Sequence, residues 1–179
     1  MNDFSDDKEI IDSLINDTLK FDILNSYGIK ASVNGIEIGE AVNDVVIGEM
    51  ITDYFKFNIS TKFGELTNFE VKGSGLCIST SIGSTALNFN NGGRIIPLDS
   101  KLLSITGIAC NRYLNDLVKI QEILIKSNGP TIYLDNVKSF TLTEGDLLTL
   151  SKGSTFKLAF LNKKEFLKKR IEFSHRFRK

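Results

Sequence analysis

The sequence has very few histidine and cysteine residues, which are common nucleophiles, bases and metal ligands. Its 179 residues include a single histidine, His175, and two cysteines, Cys77 and Cys110. With one histidine and two cysteines, the chain is not expected to form a Ser-His-Asp or Cys-His catalytic arrangement, and these three residues do not have the spacing of metal ligands. We therefore predict no catalytic residues and no metal site. Cys77 lies in an apolar stretch, where a cysteine behaves as a small buried hydrophobe.

The chain also lacks net charge, because 22 Lys and Arg residues balance 22 Asp and Glu residues. This balance argues against a specific nucleic-acid partner bound through the charge of the whole molecule. There is no apolar run near the roughly 20 residues of a membrane-spanning helix, and no signal peptide. We therefore expect no membrane partner and a location in the reducing cytoplasm, or in the host cytoplasm for a viral protein.

The length allows one domain with a sizeable core, and the hydrophobic content of 41% argues against disorder. Residues 1–20 are predicted to form an acidic, mostly helical extension with a capping box at Asp6 and Glu9. Residues 21–173 are predicted to form the domain, and residues 174–179 a basic tail. The charged residues at both ends are typical of segments exposed to solvent. The basic end could alternatively contact phosphates or an acidic partner.

Short strands separated by turns dominate the middle of the chain. Asn34-Gly35 between two apolar stretches predicts a two-residue hairpin turn. We predict one strand over residues 118–125 and two separate strands over residues 147–150 and 156–160. With two prolines, no repeat and no alternation of strands with helices, the pattern predicts an all-β antiparallel sandwich or barrel.

The stretch from Gly73 to Leu87 is the most informative segment. It reads Gly-Ser-Gly-Leu-Cys-Ile-Ser-Thr-Ser-Ile-Gly-Ser-Thr-Ala-Leu, an apolar strand between a Gly-x-Gly turn and a Gly-Ser-Thr-Ala turn. A short helix is predicted over residues 85–90. Such a segment can bring backbone N–H and hydroxyl groups close to a polar or phosphorylated ligand. A plain connection between two strands fits the composition equally well.

At these residues the chain resembles the C-terminal domain of NAD kinases, over most of its length. Residues 73–93 are similar to the family's Gly-Asp-Gly, Gly-Ser-Thr-Ala-Tyr and Gly-Gly segments, and residues 41–47 to its Ala-Leu-Asn-Glu-Val-Val-Ile segment. Weaker similarities occur at residues 108–112, Asp135-Asn136 and residues 166–170. The resemblance implies an all-β, two-sheet antiparallel sandwich with a short N-terminal helix and a short helix after the Gly-Ser-Thr-Ala turn.

The resemblance also implies a ligand, NAD or another adenine nucleotide, with no further cofactor required. It implies a homo-oligomer, a dimer or tetramer, with the nucleotide pocket near subunit contacts. The residues that it implies as ligand contacts are Asn43, Asp44, Ser74, Ser84, Thr85, Ala86, Leu87, Asn90 and Ala109. Without the resemblance, Asn43-Asp44 fits a bulge or turn within a strand, and Arg112 and Tyr113 fit either a ligand contact or a sheet edge.

Several residues depart from the family's pattern. Ser74 stands where the family has an aspartate, Ser81 where it has a proline, Leu87 where it has a tyrosine, and Asn90 where it has a serine. The family's N-terminal α/β domain, whose Gly-Gly-Asp-Gly motif supplies the catalytic base, has no match here. Phosphoryl transfer needs such a base and a metal–phosphate cradle. We therefore expect that the chain alone is not a kinase.

Three functions fit these observations. The first is a non-catalytic protein that binds, and could sequester, an adenine-containing nucleotide, dinucleotide or cyclic nucleotide signal, as small phage proteins do against bacterial immune signalling. The second is a structural or regulatory subunit that uses the sandwich for assembly. The third is the NAD-binding subunit of a split NAD kinase. Asn, Ser and Thr side chains and backbone amides suit many nucleotides, so the residues leave the ligand open.

Overall fold

The computed structural model describes residues 7–49, 53–64 and 66–176. Twelve strands fall within these ranges: β1 (Asp22–Val33), β2 (Ile36–Ala41), β3 (Asp44–Gly48), β4 (Phe55–Thr61), β5 (Phe69–Gly73), β6 (Gly75–Ser79), β7 (Leu102–Ile108), β8 (Asn115–Lys119), β9 (Ile123–Lys126), β10 (Thr131–Leu134), β11 (Lys138–Thr141) and β12 (Leu147–Phe160). The described helices are α1 (Asp7–Ile15), α2 (Leu87–Asn90) and α3 (Lys163–Arg176), with a 3-10 turn at Gly83–Thr85.

The strands form two six-stranded antiparallel sheets, which confirms the predicted sandwich. Sheet A has the order β2-β1-β12-β9-β4-β5, and sheet B has the order β11-β10-β3-β6-β7-β8. The core between them follows the period-2 alternation of each strand. In β4, for example, Phe57 and Ile59 are fully buried whereas Lys56 is exposed.

The central strand β6 is buried along its whole length, which agrees with the apolar reading of residues 76–78. Cys77 is fully buried there, and burial raises the pKa of its thiol to about 11. The thiol is therefore protonated at neutral pH, as expected for a structural rather than a reactive cysteine.

Two of the strand predictions are wrong. Residues 118–125 form two strands in different sheets, β8 in sheet B and β9 in sheet A. The break falls at Gln121, which is buried and accepts a hydrogen bond from the backbone N–H of Phe63 at 2.6 Å. In contrast, residues 147–160 form the single strand β12 rather than two separate strands.

The helices and turns agree more closely with the sequence patterns. Asn34 and Gly35 both have positive φ angles, as the predicted hairpin turn requires. The segment after β6 forms the 3-10 turn and α2, and residues 163–176 form the 14-residue helix α3. The capping box predicted at Asp6 and Glu9 lies outside the described residues. No described helix has both the length and the apolar character needed to cross a membrane.

Contacts within the chain define two compact units. One unit comprises Met1–Leu24 together with Lys157–Lys179, and the other comprises Asn25–Phe156. The second unit contains the motifs at residues 41–47 and 73–93. The domain limits predicted at residues 20 and 173 stay a prediction.

Candidate functional site

The segment that joins β2 to β3 is held by a carboxylate from a distant hairpin. Asp135 lies in the turn between β10 and β11 with a φ of 48°. Its Oδ2 accepts a hydrogen bond from the N–H of Val42 at 2.6 Å, and its Oδ1 accepts from Asn43 at 2.8 Å and Asp44 at 3.0 Å. A carboxylate that accepts three backbone N–H groups fixes the path of that backbone firmly.

Thr80 holds the same segment from the side of β6. Its hydroxyl donates to the carbonyl of Val42 at 2.7 Å, and its N–H donates to the carbonyl of Asn43 at 2.9 Å. The hydroxyl oxygen also accepts from the N–H groups of Ile82 at 3.2 Å and Gly83 at 3.3 Å. Thr80 therefore links the start of β3 to the turn that follows β6.

Gly83 allows these two segments to approach closely. A Cβ atom on Gly83 would collide with the carbonyl oxygen of Asn43, and it would lie 2.5 Å from the carbonyl carbon and 2.9 Å from the Cα atom of that residue. These are backbone atoms, which cannot rotate away as a side chain can. The glycine of the Gly-Ser-Thr-Ala turn is thus required by packing against Asn43.

We call the resulting surface the β3 site and define it by Asn43, Asp44, Thr85, Ala86 and Asn90. Asn43, Ala86 and Asn90 are exposed, while Asp44 and Thr85 are partly buried. Thr85 and Ala86 lie two and three residues after Gly83 in the same turn, so the contact of Gly83 with Asn43 holds them near the start of β3. The sequence-predicted residue Leu87 is partly buried at the start of α2.

Asp44 is the ionisable group that lies directly in this surface. Partial burial, and secondly the negative charge of Asp135, raises the pKa of its carboxyl above the ordinary value of 3.8. A partly buried carboxylate next to a second carboxylate is destabilised in its charged form. A hydrogen-bond donor on a ligand would relieve this cost, because it would satisfy the carboxylate.

Ser84, another predicted contact, is fully buried, and its side chain is used inside the protein. Its hydroxyl donates to the carbonyl of Ser81 at 2.9 Å and accepts from the N–H of Ile96 at 3.0 Å. Asn88, which the sequence analysis did not single out, is also fully buried and donates to the carbonyls of Ser84 and Arg94, each at 3.0 Å. These bonds make the polar residues around α2 part of the scaffold of the site.

Ser74 and Ala109 lie at the other end of sheet B. The β3–β6 register pairs Asp44 with Ser79 at one end and Gly48 with Gly75 at the other. Four residues of strand separate the two ends, about 13 Å at the usual rise per residue. Ser74 is buried and Ala109 is exposed, with a φ of 48°. The structure therefore does not bring these two residues to the β3 site within one chain.

Arg112 has the sheet-edge role that the sequence left open. Its guanidinium donates to the carbonyl of Glu70 at 3.3 Å and lies 5.4 Å from the centre of the Phe69 ring. Next to it, Asn111 exchanges two hydrogen bonds with the backbone of Lys72, at 2.8 and 3.0 Å. This loop covers the open edge of β5, as proteins commonly do with edge strands.

No cluster of three or more His, Cys, Asp or Glu side chains in the described ranges is arranged to hold a metal ion. Sequence reasoning also missed the role of Asp135, although it noted the Asp-Asn hairpin. The sequence shows that Asp135 is a turn residue that tolerates positive φ and carries a hydrogen-bond acceptor. It does not show which N–H groups bind this acceptor, because they lie 91 to 93 residues earlier in the chain.

The sandwich has the fold of the C-terminal domain of NAD and NADH kinases. In the crystal structure of yeast NADH kinase complexed with NADH, the similar region covers 98% of this chain and 54% of that one, with a TM-score of 0.81 and 18% identity. In the crystal structure of an NAD kinase from Archaeoglobus fulgidus in complex with ATP, the similar region covers 96% of this chain and 66% of that one. The TM-score is 0.72 and the sequence identity is 15%. The chain thus spans between about half and two thirds of these kinases, and the expected C-terminal-type fold is confirmed.

At these identities the likeness is one of fold. No protein-family model matches the chain, and no curated protein matches its sequence. The contact roles predicted for the individual site residues therefore stay predictions.

The role of Asp135 can be tested by Asp135→Gly, which removes both oxygens and tolerates the positive φ. We expect a loss of about 2 kcal/mol in the free energy of unfolding, because three backbone N–H groups lose a charged acceptor. Asp135→Asn keeps one acceptor oxygen and should fall between Asp135→Gly and the parent chain. Asn136→Gly, in the same turn and with a φ of 57°, is the matched control. Thermal unfolding measures all three, and equal losses at both positions would contradict the assignment.

Proposed function

We propose that this chain binds an adenine-containing nucleotide or dinucleotide at the β3 site and does not by itself transfer a phosphoryl group. One observation carries the proposal. Asp135, Thr80 and Gly83 fix the backbone at the start of β3, yet the side chain of Asn43 remains exposed. A backbone fixed by hydrogen bonds and close packing beneath exposed polar side chains is the arrangement expected of a preorganised binding surface.

The exposed groups match the chemistry of an adenosine. The amide of Asn43 can donate to and accept from an adenine edge, a pairing that asparagine makes readily with adenine N6 and N7. The carboxylate of Asp44 can accept from ribose hydroxyls or from the adenine amino group. Such a donor would also stabilise the partly buried charge of Asp44, so ligand and protein would both gain from the contact.

Ala109 fits this proposal if two copies of the chain meet. One chain separates Ala109 from the β3 site by most of the length of β3, so this exposed residue could reach a ligand there from a neighbouring copy. Ser74 is buried and is not available to such a ligand. We therefore propose a homo-oligomer in which the two ends of sheet B from different copies lie close together. Size-exclusion chromatography with light scattering, with and without ligand, measures the oligomeric state directly.

The proposal that the chain does not catalyse phosphoryl transfer rests on Ser74. The resembled family has an aspartate at this position, and a serine hydroxyl is neutral and cannot replace its charge. Purified protein incubated with NAD, ATP or polyphosphate and Mg²⁺ should form no NADP above background. NADP formation would refute this part of the proposal. NADP that forms only after a second chain is added would instead favour the split-kinase alternative.

A binder without turnover could act by sequestration. Mass spectrometry of small molecules released by denaturing the purified protein should then detect an adenine nucleotide retained through purification. Retention also identifies which of NAD, ADP-ribose and cyclic oligonucleotides is preferred. Recovery of no nucleotide, together with no binding at tens of micromolar in titrations, would count against sequestration.

The β3 site is tested most directly by Asn43→Ala. We expect binding of NAD or ADP-ribose, measured by isothermal titration calorimetry, to weaken about tenfold because hydrogen bonds to the adenine are lost. Asn25→Ala replaces an equally exposed asparagine in β1 and should leave affinity unchanged. If both variants bind like the parent chain, the ligand does not contact Asn43.

A further inference from the structure

A depression of about 380 Å³ lies on sheet A where β4 begins and β9 ends. Its lining includes Tyr54, Lys56, Asn58, Lys126, Ser127 and Asp146. The neighbouring residue Phe55 pairs with Gly73 in the β4–β5 register, and Gly73 precedes Ser74. The depression therefore belongs to the end of the sandwich opposite Asn43, and nothing in the β3 site accounts for it.

Two lysines lie on the rim of this depression. Lys56 and Asn58 are two residues apart in β4 and so point to the same outward face. Asn58 pairs directly with Lys126 of β9. Lys56 and Lys126 are therefore near neighbours on that face, with Cβ atoms roughly 5–8 Å apart. At this spacing two flexible ammonium groups can contact one phosphate from both sides.

An exposed aromatic ring lies at the edge of the depression. Tyr54 is 64% exposed, so most of its ring is available to a ligand. Ser127 also belongs to the lining, but its hydroxyl oxygen is buried, so it is not among the groups that a ligand would contact.

Two carboxylates modulate the charge of the depression. Glu70 forms an ion pair with Lys56 at 2.8 Å. The bond from Lys56 holds the pKa of the Glu70 carboxyl below its usual value, so Glu70 is anionic and competes for this lysine. Asp146 already accepts hydrogen bonds from Asn34 and from the N–H and hydroxyl of Thr143. These bonds occupy both carboxylate oxygens, while the negative charge of Asp146 remains in the lining of the depression.

We propose that this depression is a second binding site, for a phosphate-bearing aromatic ligand the size of a nucleotide. Lys56 and Lys126 hold the phosphate, and Tyr54 stacks on the aromatic base. Stacking of a base on an exposed aromatic side chain does not depend on base identity. The site is independent of Asn43 and therefore goes beyond the proposed function.

The test uses isothermal titration calorimetry of the full chain at low salt, with pyrophosphate and UDP as probes, because UDP lacks the adenine edge proposed to be recognised at the β3 site. Lys126→Gln should weaken both probes about tenfold, since a charged hydrogen bond is lost. Tyr54→Ala should weaken UDP about tenfold and leave pyrophosphate unchanged, because pyrophosphate has no base to stack. Lys119→Gln and Tyr113→Ala remove an exposed lysine and an exposed tyrosine on or next to β8 and should change neither probe.

Glu70→Gln supplies a gain of affinity that loss of folding cannot mimic. It frees Lys56 from its ion pair and should tighten pyrophosphate about threefold, the modest effect expected when an exposed ion pair is removed. Asn43→Ala should leave pyrophosphate binding intact, so failure of the β3 site and failure of this site give different results. The proposal is overturned if pyrophosphate does not bind the parent chain or Glu70→Gln. It is also overturned if Lys119→Gln weakens binding as much as Lys126→Gln.

Discussion

Gly83→Ala is expected to lower the free energy of unfolding by about 3 kcal/mol and to abolish binding at the β3 site. The added methyl group would overlap the carbonyl of Asn43. That carbonyl cannot retreat, because it accepts the N–H of Thr80 at 2.9 Å while the carboxylate of Asp135 holds the neighbouring N–H groups. The turn after β6 must therefore move away from β3, which would carry Thr85 and Ala86 out of the ligand surface.

Thermal unfolding and nucleotide titration check this expectation together. For a chain of this length, 3 kcal/mol corresponds to a fall in Tm of roughly 6–12 °C. Gly92→Ala is the matched control, because a Cβ at Gly92 would have nothing within 4 Å although its φ is +81°. In this control the free energy of unfolding should fall by only about 1–2 kcal/mol, which is the cost of placing an alanine in the left-handed conformation. Its affinity for the nucleotide should be unchanged. A Gly83→Ala variant as stable as the parent chain would show that the two segments separate without cost.

Where local chemistry decides the structure, the sequence was a good guide. Asn34-Gly35 specifies a hairpin turn because both of its residues tolerate positive φ, and both adopt it. The apolar run of β6 and the glycine-rich turn after it were likewise located correctly. The fold of the whole domain followed from the Gly73–Gly93 and Ala41–Ile47 motifs through their resemblance to NAD kinases, and the fold comparisons confirm it.

Where distant groups decide the structure, the sequence was a poor guide. The apolar character of residues 118–125 continues through the break between β8 and β9, so periodicity alone predicts one strand. The break instead reflects the bond between the buried Gln121 and Phe63, 58 residues away. Sequence spacing cannot reveal such a partner, since any buried polar group in a sandwich has many potential neighbours.

The candidate site shows the same division. Motif similarity drew attention to Ser74, Ser84 and Asn43 alike, because all three are polar residues in or near glycine-rich or strand-edge segments. In the fold, Ser74 is buried at the far end of sheet B and Ser84 is buried and hydrogen-bonded within the protein, whereas Asn43 is exposed. A residue type in a motif states what a side chain can do, whereas its burial and hydrogen bonds decide whether it is available to a ligand.

Asp44→Asn is expected to weaken nucleotide binding about tenfold to a hundredfold while making the fold more stable at neutral pH. The loss of affinity follows because hydrogen bonds to a charged acceptor contribute about 1.5–3 kcal/mol. The gain in stability follows from the raised pKa of Asp44, which burial and then Asp135 cause. At neutral pH this carboxylate is charged and destabilises the folded chain, whereas an asparagine of the same shape carries no charge.

The pH dependence separates these two effects. The folded chain holds the proton of Asp44 more tightly than the unfolded chain does, so acidification through the raised pKa toward 3.8 removes the cost of the charge. The Tm advantage of Asp44→Asn should therefore shrink as the pH falls through this window. Ligand affinity of the parent chain should fall in the same window, because a protonated carboxyl no longer accepts at both oxygens. Affinity of Asp44→Asn should stay level.

Unfolding curves and titrations of both chains, from neutral pH down to the ordinary aspartate range, measure all of these quantities. Asp116→Asn is a suitable control because Asp116 is an exposed aspartate on β8 in the same sheet. It should change neither stability nor affinity. If Asp44→Asn is less stable than the parent chain at neutral pH, the carboxylate supports the fold and is not held ready for a ligand. If its affinity is unchanged, the donors of the ligand lie elsewhere, and Asn43 would have to orient the nucleotide without Asp44.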